Sequence, residues 1–544
     1  MSRGPRGKIG PSAVIAASRK DWVPMDRAPA RRAWLVAALA PFAVLAVVRP
    51  WVRQAFAVWD YPVVIPILRR AHGVWDGAMA IAAFNRPDGR ANHLSYLQFA
   101  LSFGAVGDNP VGWQIARALL MLAAAVLLVA VARRLGATPL AAALAATVFC
   151  ISVPGTEGWL LLAGEPLGVV LLLLLALAAA GYATTPSWRS RAALIALLAA
   201  GVMLAKEVLG LCLPVLVLLA VCWDPEKGFR RPAFGPRERW LALLLLVVLV
   251  LEAWNVRSAL HDAVKGSYAS QFGRAGALSA GVWTLFQAML LPTRFSSAGI
   301  GTVLYPANLT FLLLLILGFA RPANGAPRPR GWWWWVLGLL SYPAVGALAY
   351  AVWYRYSAFY GIPFFLGSAG LLALAASSIE RGHPAGRAIV VVLGALTIGY
   401  SMLVSVRTIR QKHATADLAF RISQAFPAAP RLDTVFVVVP RQGGRRWPIT
   451  GWELRHYGLA FSGPDSVLPV MEDASCEAVA SRLQQPLGRS AVLDDQNPCG
   501  RLGERTVTWA ADVSYHDWLT LRAVPDTMRV DLLAPSWAPA LQRR

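Results

Sequence analysis

Apolar runs long enough to cross a bilayer recur along this chain from residue 33 to residue 406. A helix of about twenty apolar residues spans a ~30 Å hydrocarbon core. In lipid every backbone N–H and C=O must be bonded within the protein, so such runs become helices. Eleven spans are expected, at 33–49, 114–132, 138–153, 166–183, 192–206, 208–222, 240–255, 302–320, 332–353, 357–379 and 388–406. The first is not expected to be a cleavable signal, because 32 residues precede it and no small-residue cleavage site follows. Composition agrees: 57% of the residues are hydrophobic and 15% are charged. Ordinary soluble proteins are about a quarter charged, and disordered chains need low hydrophobicity, so both classes are excluded.

The formal charge of +23 is not read as a nucleic-acid signal. Lys and Arg are scattered between the spans rather than gathered on one domain, and loops on the cytoplasmic side collect them. With a cytoplasmic N-terminus, the inside segments carry 22 Lys and Arg and the longer outside loops carry 11. The expected layout is therefore a basic cytoplasmic segment at 1–32, a membrane domain at 33–406 with a structured outside loop at 50–113, and an extracytoplasmic tail at 407–544. The host membrane is expected to be an inner (plasma) membrane facing a bacterial periplasm or cell-envelope space. In the tail, Pro427, Pro430, the β-like run Thr434 to Val439 and the Gly443-Gly444 turn read as a small α/β domain. The fold class is an all-α polytopic membrane protein with that small α/β domain appended. Cys476 and Cys499 are the two tail cysteines, and an oxidising compartment lets them pair. Cys150, Cys212 and Cys222 lie in or beside spans and read as packing residues. Trp332 to Trp335 read as an interfacial belt. No internal repeat is visible, which weighs against a secondary transporter.

Ionisable residues in or beside a span are costly, and each is a functional candidate by default. The first outside loop holds Asp60, Asp76, Asp88, Arg90 and His93; the second holds Glu157, Trp159 and Glu165. The fifth span ends in Lys206-Glu207, and Arg355-Tyr356 stand at the outside end of the ninth. All fall on one side of the expected map. Each also has a plainer structural reading. Asp60 serves as a helix cap beside Pro62, and Asp76 and Asp88 as turn or cap residues. Arg90 and Arg355 serve as interface snorkellers, and His93 as a polar loop residue. Lys206 and Glu207 point about 100° apart on a helix, so each is expected to find a partner elsewhere. No zinc spacing, phosphate-cradling glycine motif or nucleophile elbow is present.

Five segments, in order, resemble the GT-C integral-membrane glycosyltransferases, which include protein O-mannosyltransferases and bacterial enzymes that add sugars to lipid A or arabinan. They are Asp60; Gly89-Arg90 with Leu94, Phe103-Gly104 and Asn109-Pro110; Glu157-Gly158-Trp159 with Gly164-Glu165-Pro166-Leu167; Lys206-Glu207 with Pro214; and Arg355-Tyr356. The chain departs from the family pattern in three places: Asp60 is single rather than doubled, Arg90 is followed by Ala91, and Ala163-Gly164 precede Glu165.

The resemblance implies inverting transfer of a sugar from a polyprenyl-phosphate carrier to an extracytoplasmic lipid, glycan or protein acceptor. It implies Asp60 as general base, with Glu165 as a second catalytic residue that binds a sugar hydroxyl, orients the acceptor or helps hold a divalent ion. Arg355, Lys206 and Arg90 would grip the donor phosphate. Glu157, Glu207, Asp76, His93 and Tyr356 would contact the acceptor or support those residues. The resemblance fixes no cofactor, and a divalent metal is compatible with it. Loop 256–301, with its apolar stretch 282–292, would shape the carrier groove at the interface. Two other readings stay open from the residues alone: a non-catalytic membrane scaffold, and a lipid or polysaccharide translocator.

Overall fold

The computed structural model describes residues 27–52, 61–86, 91–160, 164–224, 228–229, 235–263, 278–293, 304–320, 332–353 and 358–425, and four strands between 434 and 508. The helices are α1 (Arg27–Val52), α2 (Tyr61–Arg70), α3 (Val74–Asn85), α4 (His93–Val106), α5 (Pro110–Arg134), α6 (Pro139–Ile151), α7 (Val153–Leu160), α8 (Glu165–Ala179), α9 (Trp188–Ala205), α10 (Leu213–Cys222), α11 (Pro236–Ala263), α12 (Leu278–Leu290), α13 (Pro306–Phe319), α14 (Trp332–Trp353), α15 (Ile362–Gly382) and α16 (Gly386–Ala425). Their starts follow from the sequence. Proline stands in the first two positions of α5, α6, α8, α10, α13 and α15, where its missing N–H costs nothing. Asn109 caps α5 by accepting from the Val111 and Gly112 N–H groups at 3.0 and 3.4 Å, and Thr138 caps α6 through the Ala141 N–H at 3.3 Å.

A helix occupies each of the eleven expected stretches in whole or in part. By length and apolarity, α5, α9, α15 and residues 386–409 of α16 qualify as membrane spans by themselves, and α6 with α7 qualifies as one bent span. The face of α11 that carries Leu243, Leu246, Val250, Leu251 and Trp254 is exposed and apolar. A surface of that kind is stable against lipid and costly against water. The chain is a mostly helical, multi-pass membrane protein.

One continuous core runs between α5, α6, α8 and α15, with α1 and α16 packed outside α6. Small residues let helices approach closely in lipid. Gly318 of α13 lies directly on the backbone of Ala375 in α15, with no room for a Cβ. Cys150 and Cys212 are buried and free, and Cys222 is buried, in line with packing roles.

Two expectations are corrected. The third span does not end in a loop at residue 153. It bends by 57° and continues as α7, so Glu157 and Trp159 sit in a buried helix. The bend falls at Ser152, whose hydroxyl accepts the Gly155 N–H at 3.2 Å ahead of Pro154 in the new first turn. The stretch 50–113, expected to be structured, holds α2, α3 and α4. Within 282–292, α12 packs against α14 and α15 and buries Leu285, Ala288 and Met289. Of the tryptophan belt, Trp333 and Trp334 are exposed, but Trp335 is buried edge-on to Trp223 with ring centroids 5.0 Å apart.

The expected β-run in the tail is a strand, Thr434–Val438 (β3 in a chain-order count that begins with the short antiparallel pair Trp223–Asp224 and Gly228–Phe229). It lies within a parallel four-stranded sheet of order β4-β3-β5-β6, with β4 Val470–Met471, β5 Ser490–Asp494 and β6 Thr506–Thr508. Cys476 and Cys499 lie outside the described residues.

Candidate active site

Two motifs about forty residues apart in sequence meet at one end of the bundle. Helix α9 stops at Ala205, and Lys206 takes an extended conformation, φ −162° and ψ 116°, before a 3-10 turn over Glu207–Cys212. The break turns the Lys206 side chain off the helix axis and toward the start of α8. There Glu165 stands in the first turn, where the helix dipole favours a carboxylate. The Lys206 Nζ lies 3.5 Å from Glu165 Oε1, with side-chain exposures of 10% and 1%. The expectation that Lys206 pairs with something other than its neighbour Glu207 is met.

The join is held by Ser95 of α4, whose hydroxyl donates to the Ala205 carbonyl at 2.6 Å. That carbonyl is one of the helix-end acceptors that α9 cannot satisfy itself. Gly164 makes the close approach possible: a Cβ there would fall 2.5 Å from Ser95 Oγ and 2.9 Å from the Ala205 carbonyl. On the other side, the Lys206 ammonium lies 5.6 Å from the centre of the Tyr360 ring, a cation–π distance. Tyr360 in turn stacks on Tyr350 of α14, at 4.9 Å and 14°.

Glu165 is under-bonded for so buried a carboxylate. Charge-assisted hydrogen bonds run at about 2.7–2.9 Å, so 3.5 Å leaves the pair loose, and neither Glu165 oxygen accepts a hydrogen bond among the described residues. Buried carboxylates seldom leave their acceptor capacity unused. A ligand hydroxyl entering here would find a ready acceptor. A metal ion would first have to displace the lysine, and the described residues hold no group of three or more His, Cys, Asp or Glu side chains suited to one.

Arg117, which the sequence analysis did not single out, sits two turns into α5 and is fully buried. Its guanidinium donates to the Gly158 carbonyl at 3.3 Å and to Gln98 Oε1 at 3.4 Å, and lies 5.9 Å from the Phe99 ring centre. Gln114, one turn earlier, donates to the Leu160 carbonyl at 3.1 Å. Helix α7 has eight residues, too few to bond its last carbonyls internally, and α5 supplies the missing donors. A lone arginine within an apolar run is the signal that could have found it. Arg117→Leu is expected to destabilise the fold by about 1–3 kcal/mol by leaving buried acceptors unmet. Thermal unfolding in a single detergent checks this, and Arg117→Lys should recover part of the loss.

The remaining expected site residues divide. Glu157 is buried on α7, which packs against the Ala358–Gly361 turn that carries Tyr360. Glu207 stands in the first turn of the 3-10 segment, within charge range of Glu252 on α11 rather than bonded to Glu165. Asp76 is exposed and accepts the His72 N–H at 2.9 Å, which is its capping reading. His93 is exposed at the start of α4, edge-on to Tyr96 at 6.3 Å. Asp60, Arg90, Arg355 and Tyr356 lie outside the described residues.

No protein-family model matches the chain, and no curated protein matches it. Among solved structures, the arabinofuranosyltransferase AftD from mycobacteria is similar at 16% identity and a TM-score of 0.45, over 94% of this chain and 36% of that one. ArnT from Cupriavidus metallidurans, in the apo state, is similar at 14% identity and a TM-score of 0.36, over 91% of this chain and 95% of that one. The chain thus spans about a third of the length of the first. The first bears the name of a sugar transferase, the class that the sequence motifs resemble. Similarity this low carries no weight for activity.

Proposed function

We propose that this chain is a membrane glycosyltransferase of the GT-C type, moving a sugar with inversion from a polyprenyl-phosphate donor to an extracytoplasmic lipid, glycan or protein acceptor. The observation that carries the reading is the buried Glu165–Lys206 pair beneath Tyr360, in which the Gly164-Glu165-Pro166-Leu167 and Lys206-Glu207 motifs meet at one end of an apolar bundle. In this reading the chain crosses the membrane eleven times, its N-terminus is cytoplasmic, and residues 407–544 form an extracytoplasmic domain.

The chemistry is displacement at the anomeric carbon. Asp60 takes the proton of the acceptor hydroxyl as the new bond forms. Arg355 and Arg90 meet the departing phosphate, whose charge needs cations held at the membrane face. Glu165 accepts a hydroxyl of the donor sugar or the acceptor, and Lys206 holds that carboxylate in place.

The test is release of free polyprenyl phosphate from a panel of polyprenyl-phosphate sugars by membranes containing the full chain. Release with at least one donor, faster than in membranes lacking the chain, is the expected result. Absence of release with every donor, in the presence of total envelope extract as acceptor, would overturn the reading.

A further inference from the structure

At the opposite end of the bundle from the ion pair, α5, α8, α10, α14 and α15 line an apolar pocket with a cavity volume of about 90 Å³. One water needs ~10–15 Å³ on the same measure, so the cavity takes a short apolar segment rather than a whole ligand. Its walls are almost wholly apolar, with Leu173, Leu219 and Leu374 among them, so the fitting occupant is an alkyl segment. Leu135 and Ala137 form one rim, and they flank a tight turn at Gly136, φ 91°.

That turn gathers charge. Arg133 donates to the Ala137 carbonyl at 2.6 Å, and Arg381 at the end of α15 donates to the Gly136 carbonyl at 2.6 Å. Two guanidiniums are therefore anchored on consecutive carbonyls, where their like charges repel. Arg134 follows directly in sequence, and Arg387 lies within charge range of Glu380. Arg381 and Arg387 thus face one carboxylate, Glu380, and Arg133 lies within charge range of Arg381. A fold that holds repelling cations on backbone carbonyls at the mouth of a greasy pocket is complementary to an anion with a hydrocarbon tail. Basic pockets between helices at the membrane face bind anionic headgroups in this way.

We propose that this pocket binds an anionic glycerophospholipid, a segment of one acyl chain in the apolar cavity and its phosphate on Arg133 and Arg381. The site is separate from the Glu165–Lys206 pair and does not depend on the glycosyltransferase reading.

The test is native mass spectrometry of the full chain taken from micelles containing equal amounts of phosphatidylglycerol and phosphatidylcholine. Wild type is expected to retain phosphatidylglycerol in preference. Near a membrane surface each basic residue contributes about fivefold to binding an anionic lipid, so Arg133→Gln with Arg381→Gln should cut the preference roughly thirtyfold. Arg133→Lys with Arg381→Lys keeps the charge and should keep most of the preference, which separates headgroup binding from damage to the turn. Ala373→Phe fills the pocket, leaves both arginines in place and should abolish retention of either lipid. Equal retention of both lipids by wild type, unchanged retention in Ala373→Phe, or displacement of phosphatidylglycerol by an equal concentration of polyprenyl phosphate would each overturn the proposal.

Discussion

Asp60→Asn is expected to lower polyprenyl-phosphate release by about 10²–10⁴-fold, the range that a positioned general base contributes, with expression and thermal stability unchanged. Asn keeps the shape and hydrogen-bonding reach of Asp but cannot take the acceptor proton. Asp60 directly precedes α2, and two other candidate carboxylates already have partners. Asp76 accepts the His72 N–H, and Glu165 is engaged by Lys206. Release of donor phosphate should fall for every acceptor alike, because the lost step is common to all of them. Donor binding, measured by competition with a non-hydrolysable phosphonate, should change little, since the phosphate contacts lie on other residues. Turnover equal to wild type would remove Asp60 from the chemistry, and Glu165→Gln would become the next variant to assay.

The membrane helices were legible because their signal is long and one-dimensional. Twenty apolar residues leave the backbone no alternative to a helix, and Pro110, Pro139, Pro166 and Pro306 mark where helices begin. The bend at Ser152 was not legible. Pro154 and Gly155 read equally well as a loop, and what makes α7 a helix is the pair of donors that Arg117 and Gln114 bring from α5 to its last carbonyls. That is tertiary information. The candidate site shows the same division. Each of Glu165 and Lys206 stood out as a charge where the membrane is costly, but their pairing depended on the helix break at Lys206 and on the missing side chain at Gly164. Arg117 was visible as a letter, and its importance came only from the short helix laid across it.

The Glu165–Lys206 pair can be separated into its structural and chemical parts by a double-mutant cycle. Removing one partner leaves the other buried without its counter-charge, at a cost of about 3–5 kcal/mol. Glu165→Gln and Lys206→Met should each destabilise on that scale, read as loss of thermal stability in one detergent. The double variant should lose much less than the sum, because no buried charge of the pair is left uncompensated and the two sites are in contact. If the pair only holds α8 against α9, turnover should return in the double variant together with stability. If Glu165 receives a sugar or acceptor hydroxyl, the double variant should be as stable as wild type to within about 1–2 kcal/mol and still fail to release polyprenyl phosphate. The second outcome is the expected one. A carboxylate 1% exposed, with neither oxygen accepting a hydrogen bond among the described residues, is poor as structural cement and well suited to a ligand that brings its own donors.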